Sequence, residues 1–401
     1  MDRQVFLEID TIAAYGSYLE ITSRIVDFGD YEGFDQHGIC WSSDYTPTIA
    51  DCHIEWGAVN KSENYSYTIG HGEFDASTTY RFRPFAKKGN DVFYGEEFFY
   101  DNKYAADTWE DLNWVINTSF IERNRGTAFT LDNLSYFGLG MDNLNNDLND
   151  IWCFDPQQNT FTQKADFIGG ARNSCCSFQH GNYGFIGFGE GGGTYYGDIY
   201  RYNPAGNVWE YWKDVGYQAS YMSSFVIDDY FYFGMGIKSS SFSTEFYRIH
   251  IPTCSSPETL IDFPGFPRGG HVSFSVAGRG FVGLGSKDDN VTTLNDFWMY
   301  DPGSGNWTQL DNYPGMSRFS PICFVINDIA YVGGGAETYA GMQYDFYYFD
   351  PGSVSWHQLN NIPFSGRYSS TCFSNGSFGY VLCGTSGGTG NNKKELWRFI
   401  P

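Results

Sequence analysis

Asp296-Phe297-Trp298-Met299-Tyr300-Asp301-Pro302 is the stretch from which the fold is read. An acid is followed by aromatic residues and then by a proline. Apolar positions that alternate and then stop at a proline make a short strand ending in a turn. The same order of residue types recurs at 150–156 (DIWCFDP), 198–204 (DIYRYNP), 245–252 (EFYRIHIP), 345–351 (DFYYFDP) and 395–401 (ELWRFIP). Similar strands at a regular distance mean that the period is the first thing to establish.

Other features repeat in a constant order between these strands. Arg125, Arg172, Arg268, Arg318 and Arg367 each open a unit, with Ala219 in that place in the third. The steps are 47, 47, 49, 50 and 49 residues. A strand of small residues follows, such as Ser320-Pro321-Ile322-Cys323-Phe324-Val325. Next comes an aromatic strand ending in glycines, such as Tyr331-Val332-Gly333-Gly334-Gly335 or Phe281-Val282-Gly283-Leu284-Gly285. A polar loop leads to the acidic–aromatic strand. The last strand is anchored by Trp209, Trp307 or Trp356, with Phe161 in the first unit.

Arginine at the start, a glycine doublet, an acid before aromatics, then Asp-Pro and tryptophan: this order resembles the kelch repeat. The resemblance spans nearly the whole chain after residue 105. It implies a β-propeller with four strands to each unit. The third unit departs most, with Ala219 for arginine, Ile251-Pro252 for Asp-Pro, and no tryptophan. The sixth unit stops at Pro401 after its third strand. Trp109-Glu110-Asp111-Leu112 has the Trp-x-x-Leu pattern of the missing fourth strand, as in Trp307-Thr308-Gln309-Leu310. Residues 107–113 are therefore expected to close the last sheet, so that no open edge is left. The expectation is an all-β, six-bladed kelch propeller over 105–401.

Residues 1–104 read differently. Tyr18–Ile21, Gly38–Trp41 and Tyr65–Ile69 have strand character, and Lys88-Gly89-Asn90-Asp91 marks a hairpin between 78–87 and 92–100. The stretch from Phe74 to Phe82 resembles the tyrosine-corner segment of fibronectin type III domains, with Tyr80 as the buried corner residue. A small Ig/fibronectin-like β-sandwich acting as a spacer is expected.

Composition narrows the partners. Forty-eight glycines, 31 tyrosines and 36 phenylalanines favour an all-β chain with many tight turns. A formal charge of −23 repels phosphate backbones and anionic headgroups, which argues against nucleic acid or a membrane surface. The nine cysteines are odd in number and scattered, with no CxxC. Cys40 and Cys52 read equally as a bridge or as two free thiols. The opening MDRQVFLEID has neither the basic region nor the apolar core of a signal peptide. The domain pairing and the Asn/Asp/Tyr/Phe-rich composition resemble cell-surface proteins of Bacteroidetes. That resemblance implies a surface or periplasmic lipoprotein whose export signal and lipid anchor are missing here, with a cytoplasmic location as the other reading. The chain is expected to be a monomer.

Alternating connections put the arginine-bearing loops on the same face as the variable loops 141–149, 190–197, 237–243, 286–294, 336–343 and 385–392. That face is expected to gather Arg125, Arg172, Arg268, Arg318 and Arg367 around an axial channel, suited to a carboxylate, sulfate or phosphate. The competing reading pairs each arginine with the acid of its own unit: Asp150, Asp198, Asp296, Asp345 or Glu395. Residues that break the repeat are sharper candidates, and Tyr195, Tyr196 and Tyr339 are the exposed loop aromatics expected to meet a sugar ring or a protein. Asp142–Asp147 and Asp288-Asp289-Asn290 offer oxygen ligands but no EF-hand spacing, and polar turns account for them. Cys323 and Cys372 fall at small inner-strand positions held elsewhere by Thr130, Ser177, Ser224 and Ser273, so packing explains them. His271, three residues after Arg268, fits a common kelch position, and the other histidines have no metal spacing. No cofactor or metal is expected.

The sequence favours non-catalytic binding of a glycan or partner protein on the arginine-and-loop face. The catalytic alternative is an enzyme similar to the kelch sialic-acid mutarotases, which act on an anionic sugar in the propeller channel. Mutarotation needs only positioning and an acid/base pair, so it would leave little trace in a sequence.

Overall fold

The computed structural model describes all residues except 1–3, 16–17, 71–73, 75–77, 102–106, 117–119, 240, 288–291, 338–340 and 388–389. The chain divides into two compact units, Met1–Thr108 and Trp109–Phe399.

The first unit is built from two antiparallel sheets. One joins Val5–Tyr15, Tyr18–Phe28 and Asn64–Gly70. The other orders Cys52–Trp56, Gln36–Ser42, Thr79–Lys88 and Asp91–Tyr94, with Phe98–Asp101 also on Thr79–Lys88. Leu19, Ile21, Tyr67 and Ile69 from the first sheet meet Ile39, Trp41, Tyr80 and Phe82 from the second in one core. Tyr80 is buried, edge-on to Phe74 at 5.0 Å. Cys40 and Cys52 are free thiols, and their register is offset: Cys40 faces His53 and Trp41 faces Cys52. Burial pushes the Cys40 thiol up to about 12, and it donates to the Arg83 carbonyl at 3.3 Å.

The second unit holds six four-stranded antiparallel sheets. In chain order their innermost strands are Thr127–Leu131, Cys176–His180, Ser223–Ile227, Val272–Val276, Ile322–Ile326 and Thr371–Ser374. The sixth sheet, which contains Leu396–Ile400, takes Thr108–Asp111 as its fourth strand. Trp109 from that strand sits among Phe346, Phe364 and Phe399 with ring centroids 5.1–5.2 Å away.

Period-two alternation places one apolar row of each inner strand against its neighbours and one small row towards the axis. The apolar row carries the same aromatic pair in every sheet. Phe129, Phe178, Phe225, Phe274, Phe324 and Phe373 stack nearly parallel on the second-strand rings of Tyr136, Phe185, Tyr232, Phe281, Tyr331 and Tyr380 at 4.5–5.7 Å. Each such ring removes on the order of 150–250 Å² from water, so these pairs contribute a large share of apolar burial to the core clusters. Gly280 shows how tightly the sheets nest: a Cβ there would stand 2.2 Å from the Phe225 ring of the preceding sheet.

Main-chain bonds tie the sheets into a ring. The glycine two residues beyond each second strand donates to the residue opening the next unit: Gly140 to Arg172, Gly189 to Ala219, Gly236 to Arg268, Gly285 to Arg318 and Gly335 to Arg367, at 2.8–3.2 Å. Gly384 closes the ring by donating to the Arg123 carbonyl at 2.9 Å. The first unit therefore opens at Arg123 and not at Arg125. The step to Arg172 becomes 49 residues, in line with the others. The same two-residue offset puts Ala128, not Thr130, level with Ser177, whose hydroxyl donates to the Ala128 carbonyl at 2.6 Å.

Candidate functional site

Four of the five arginines expected at the channel mouth do not line it. Arg172, Arg268, Arg318 and Arg367 are fully buried, as is Arg123, and each is bound to the acid of its own sheet. Arg268 is representative. Its two terminal nitrogens meet the two Asp296 oxygens at 2.7 Å, Nη1 also donates to the Leu284 carbonyl at 3.0 Å, and Nε donates to Phe266 O at 3.0 Å. Its guanidinium lies over Phe263. Burial works to raise the Asp296 carboxyl, but the Arg268 bonds and charge outweigh it and hold the group below its usual range. A buried fork whose three nitrogens all donate to carboxylate or carbonyl oxygens is an architectural clamp. In the third sheet Ala219 supplies no guanidinium. Lys238 comes from the adjacent loop to pair with Glu245, its ammonium 4.5 Å from the Tyr217 ring centroid.

Arg125 is the exception. Six residues with left-handed backbone form the mouth of the axial channel, one from each unit: Arg125, Ser174, Tyr221, Gly270, Ser320 and Ser369, with φ between 45° and 61°. Their main chains bond round the axis, Ser174 N to Arg125 O at 3.0 Å and Arg125 N to Ser369 O at 2.9 Å among them. The five positions other than Arg125 carry no charge. The Arg125 guanidinium is one-third exposed, lies over the Tyr221 ring, and stands 3.6 Å from the Glu190 carboxylate.

Glu190 also breaks the repeat. It bridges to Asn173 at the position filled elsewhere by Met141, Ile237, Ser286, Ala336 and Thr385. A two-residue hairpin, Glu190–Gly191 with Thr194–Tyr195, presents it. Asp147 of the preceding unit braces that hairpin, accepting from Gly192 N at 3.1 Å and Asn173 Nδ2 at 2.7 Å. Burial raises the Glu190 carboxyl; Arg125 opposes the rise, and Asp147 adds to it. A carboxyl raised above its ordinary range beside a cation has the chemistry of a general acid/base.

Below the mouth lie Gly126, Cys175, His271, Pro321 and Ser370, and deeper still Ser177, Ser273, Cys323 and Cys372. The His271 Nε2 is 2.5 Å from Ser223 Oγ, and burial first, then the Arg268 charge, pushes its pKa down to about 3, so the imidazole is neutral. Burial raises both Cys323 and Cys372, the latter to about 12, which keeps the thiols protonated.

The loop tyrosines fare differently from expectation. Tyr196 is half-buried, its ring 3.7 Å from the Arg172 guanidinium, and so packs on an architectural clamp. Tyr195 is half-buried and faces Glu190 across the hairpin. Tyr339 and Asp288-Asp289-Asn290 lie outside the described residues. Asp142 spends its carboxylate on its own turn, accepting from Leu144 N, Asn146 N and Asn146 Nδ2 at 2.8 Å. Among the described residues no group of three or more His, Cys, Asp or Glu is placed to hold a metal. Glu190, Tyr221 and His271 were missed as site residues. The signal for each was chemical type within a variable column: Glu190 is the one acid, Tyr221 the one aromatic and His271 the one histidine at its position of the aligned repeat.

Comparison with known proteins adds to this geometry. A solved structure described as "Structure of YjhT" superposes with a TM-score of 0.58 at 15% identity, covering 70% of this chain and 96% of that one. The fold is a propeller. No family model matches the sequence. The N-acetylneuraminate epimerase of Yersinia enterocolitica is 31% identical over 107 residues, 25% of this chain and 26% of its own length. That of Escherichia coli O157:H7 is 31% identical over 112 residues, and N-acetylneuraminate epimerase 2 of Escherichia coli O6:H1 is 33% identical over 115, covering 29% and 30% of those proteins. The match thus spans under a third of each curated relative. These relatives are kelch-type propeller proteins and are named as enzymes. The reading of this chain as a non-catalytic binding protein is corrected accordingly.

Proposed function

We propose that this chain is a sugar mutarotase that interconverts the anomers of an acidic sugar, N-acetylneuraminate foremost, at the axial mouth of a six-bladed kelch propeller. The N-terminal unit is its fibronectin type III-like companion. The observation that carries the reading is the meeting of Arg125 and Glu190: the single charged side chain of the mouth ring stands 3.6 Å from the carboxylate of Glu190, the one acid in its own column of the repeat. The names of the curated relatives support the same substrate class.

The chemistry is modest. Opening the pyranose takes a proton from the anomeric hydroxyl and gives one to the ring oxygen, leaving a free ketone; closure on the other face reverses both transfers. Arg125 pairs with the sugar carboxylate and fixes the anomeric carbon beside Glu190. Glu190 takes the hydroxyl proton and passes it to the ring oxygen as the ring C–O bond breaks, and after the ketone has turned over it carries the proton back the other way. Holding the carboxylate on Arg125 weakens the pull of that guanidinium on Glu190 and makes it a better base.

The test follows anomer exchange by proton NMR after crystalline β-N-acetylneuraminate is dissolved. The wild-type chain accelerates the approach to equilibrium, and Glu190→Gln slows that acceleration by roughly 10²–10⁴-fold. A folded wild-type protein that leaves the spontaneous rate unchanged refutes the proposal.

A further inference from the structure

Gly270 is the one mouth position without a side chain, and nothing in the backbone demands glycine there. Its φ of 61° matches the 45–57° adopted by arginine, serine and tyrosine at the other five positions. Nor does crowding demand it. A Cβ at Gly270 would come within 3.0 Å of Ser320 Oγ, a rotatable hydroxyl, and no nearer than 3.6 Å to any other atom. What the glycine does is leave space. Counted by units round the mouth, Gly270 is three from Arg125 in either direction, which sets the gap across the axis from the guanidinium. Directly after it comes His271, whose ring lines the same cavity. Its counterparts in the other units are Gly126, Cys175, Met222, Pro321 and Ser370. The Nδ1 atom of His271 is buried and has no partner, whereas Nε2 is held by Ser223. A buried polar atom without a partner among the described residues is a position where an added hydrogen-bonding group is stabilising.

We infer that Gly270 and His271 form a specificity subsite that accepts the uncharged, hydrogen-bonding end of a sugar acid whose carboxylate is held by Arg125. The inference rests on the proposed function. A neutral imidazole suits a hydroxyl or an acylamino group and gives no advantage to a second anion. The cavity bounded by the mouth ring is ≈ 200 Å³. A serine side chain at 270 would fill about 30 Å³ of it, the share of one liquid water molecule, where the ligand body must lie.

The test compares affinities for N-acetylneuraminate and for glucuronate, which has a carboxylate but neither acylamino group nor glycerol tail, in wild type, Gly270→Ser and Arg125→Ala. Serine occupies the equivalent position in three units, so Gly270→Ser is expected to unfold at the wild-type midpoint; Gly270→Ala serves if it does not. The expected result is a roughly tenfold fall in the preference for N-acetylneuraminate over glucuronate, with a rise in KM for anomer exchange. An unchanged preference in a folded variant, alongside weakened binding in Arg125→Ala, overturns the subsite and leaves the proposed function standing. A wild-type chain that binds neither acid overturns both.

Discussion

Arg123 and Arg125 are separated by one residue and behave as opposites. Arg123 is fully buried, with both terminal nitrogens on Asp150 at 2.7 Å. Arg125 is one-third exposed and meets Glu190 through a single 3.6 Å contact. The backbone makes the difference: left-handed at 125, it spends its own N–H and C=O on the ring round the axis and leaves the side chain to the cavity. Arg123 has counterparts in four other units, Arg125 in none. In this molecule repetition marks architecture and its breakage marks chemistry.

That contrast can be broken by substitution. Arg268→Ala leaves Asp296 buried without its cation, and a loss of about 3–5 kcal/mol in denaturant unfolding is expected. Arg125→Ala removes a one-third exposed group and should stay within about 0.5 kcal/mol of wild type. Equal losses would erase the distinction between clamp and site.

Acid separates the two regions more gently. The unfolded chain protonates His271 near its ordinary 6.5, whereas burial holds the folded group near 3. Stability that is complete above pH 6.5 is therefore lost between 6.5 and about 3, by an amount on the order of a few kcal/mol. The Asp150 and Asp296 carboxyls are held below their ordinary 3.8, so their contribution is present above that value and lost only as pH falls further. Urea midpoints measured from pH 7 to 4 should fall in wild type and stay flatter in His271→Gln. Equal slopes would mean that His271 is not buried neutral in the channel wall.

The smallest effect concerns the third sheet. The Lys238–Glu245 pair, which stands where an arginine clamp is missing, is exposed by a third or more on both sides. Lys238→Ala should cost only about 0–1 kcal/mol in thermal unfolding. A loss as large as that of Arg268→Ala would show that the lysine clamps as strongly as a buried arginine.

The repeat was legible because strand alternation, turn glycines and the acid–aromatic stretch are local and recur in register, so each copy supports the others. The register of the first unit was not. Glu122-Arg123-Asn124-Arg125 offers two arginines, and the choice between them depends on which one a distant glycine, Gly384, meets at the seam. The alternative in which each arginine pairs with its own acid was readable too, since both partners recur together in five units.

From the sequence alone came the propeller fold, the period of about 50 residues and the aromatic strands. Local alternation and turn chemistry dictate these whatever the distant parts of the chain do. Only the tertiary structure decided that Arg123 is the clamp, that Arg125 faces the axis, and that Glu190, Tyr221 and His271 join it there. Those residues lie in different units, and closure of a ring of sheets is what makes them neighbours.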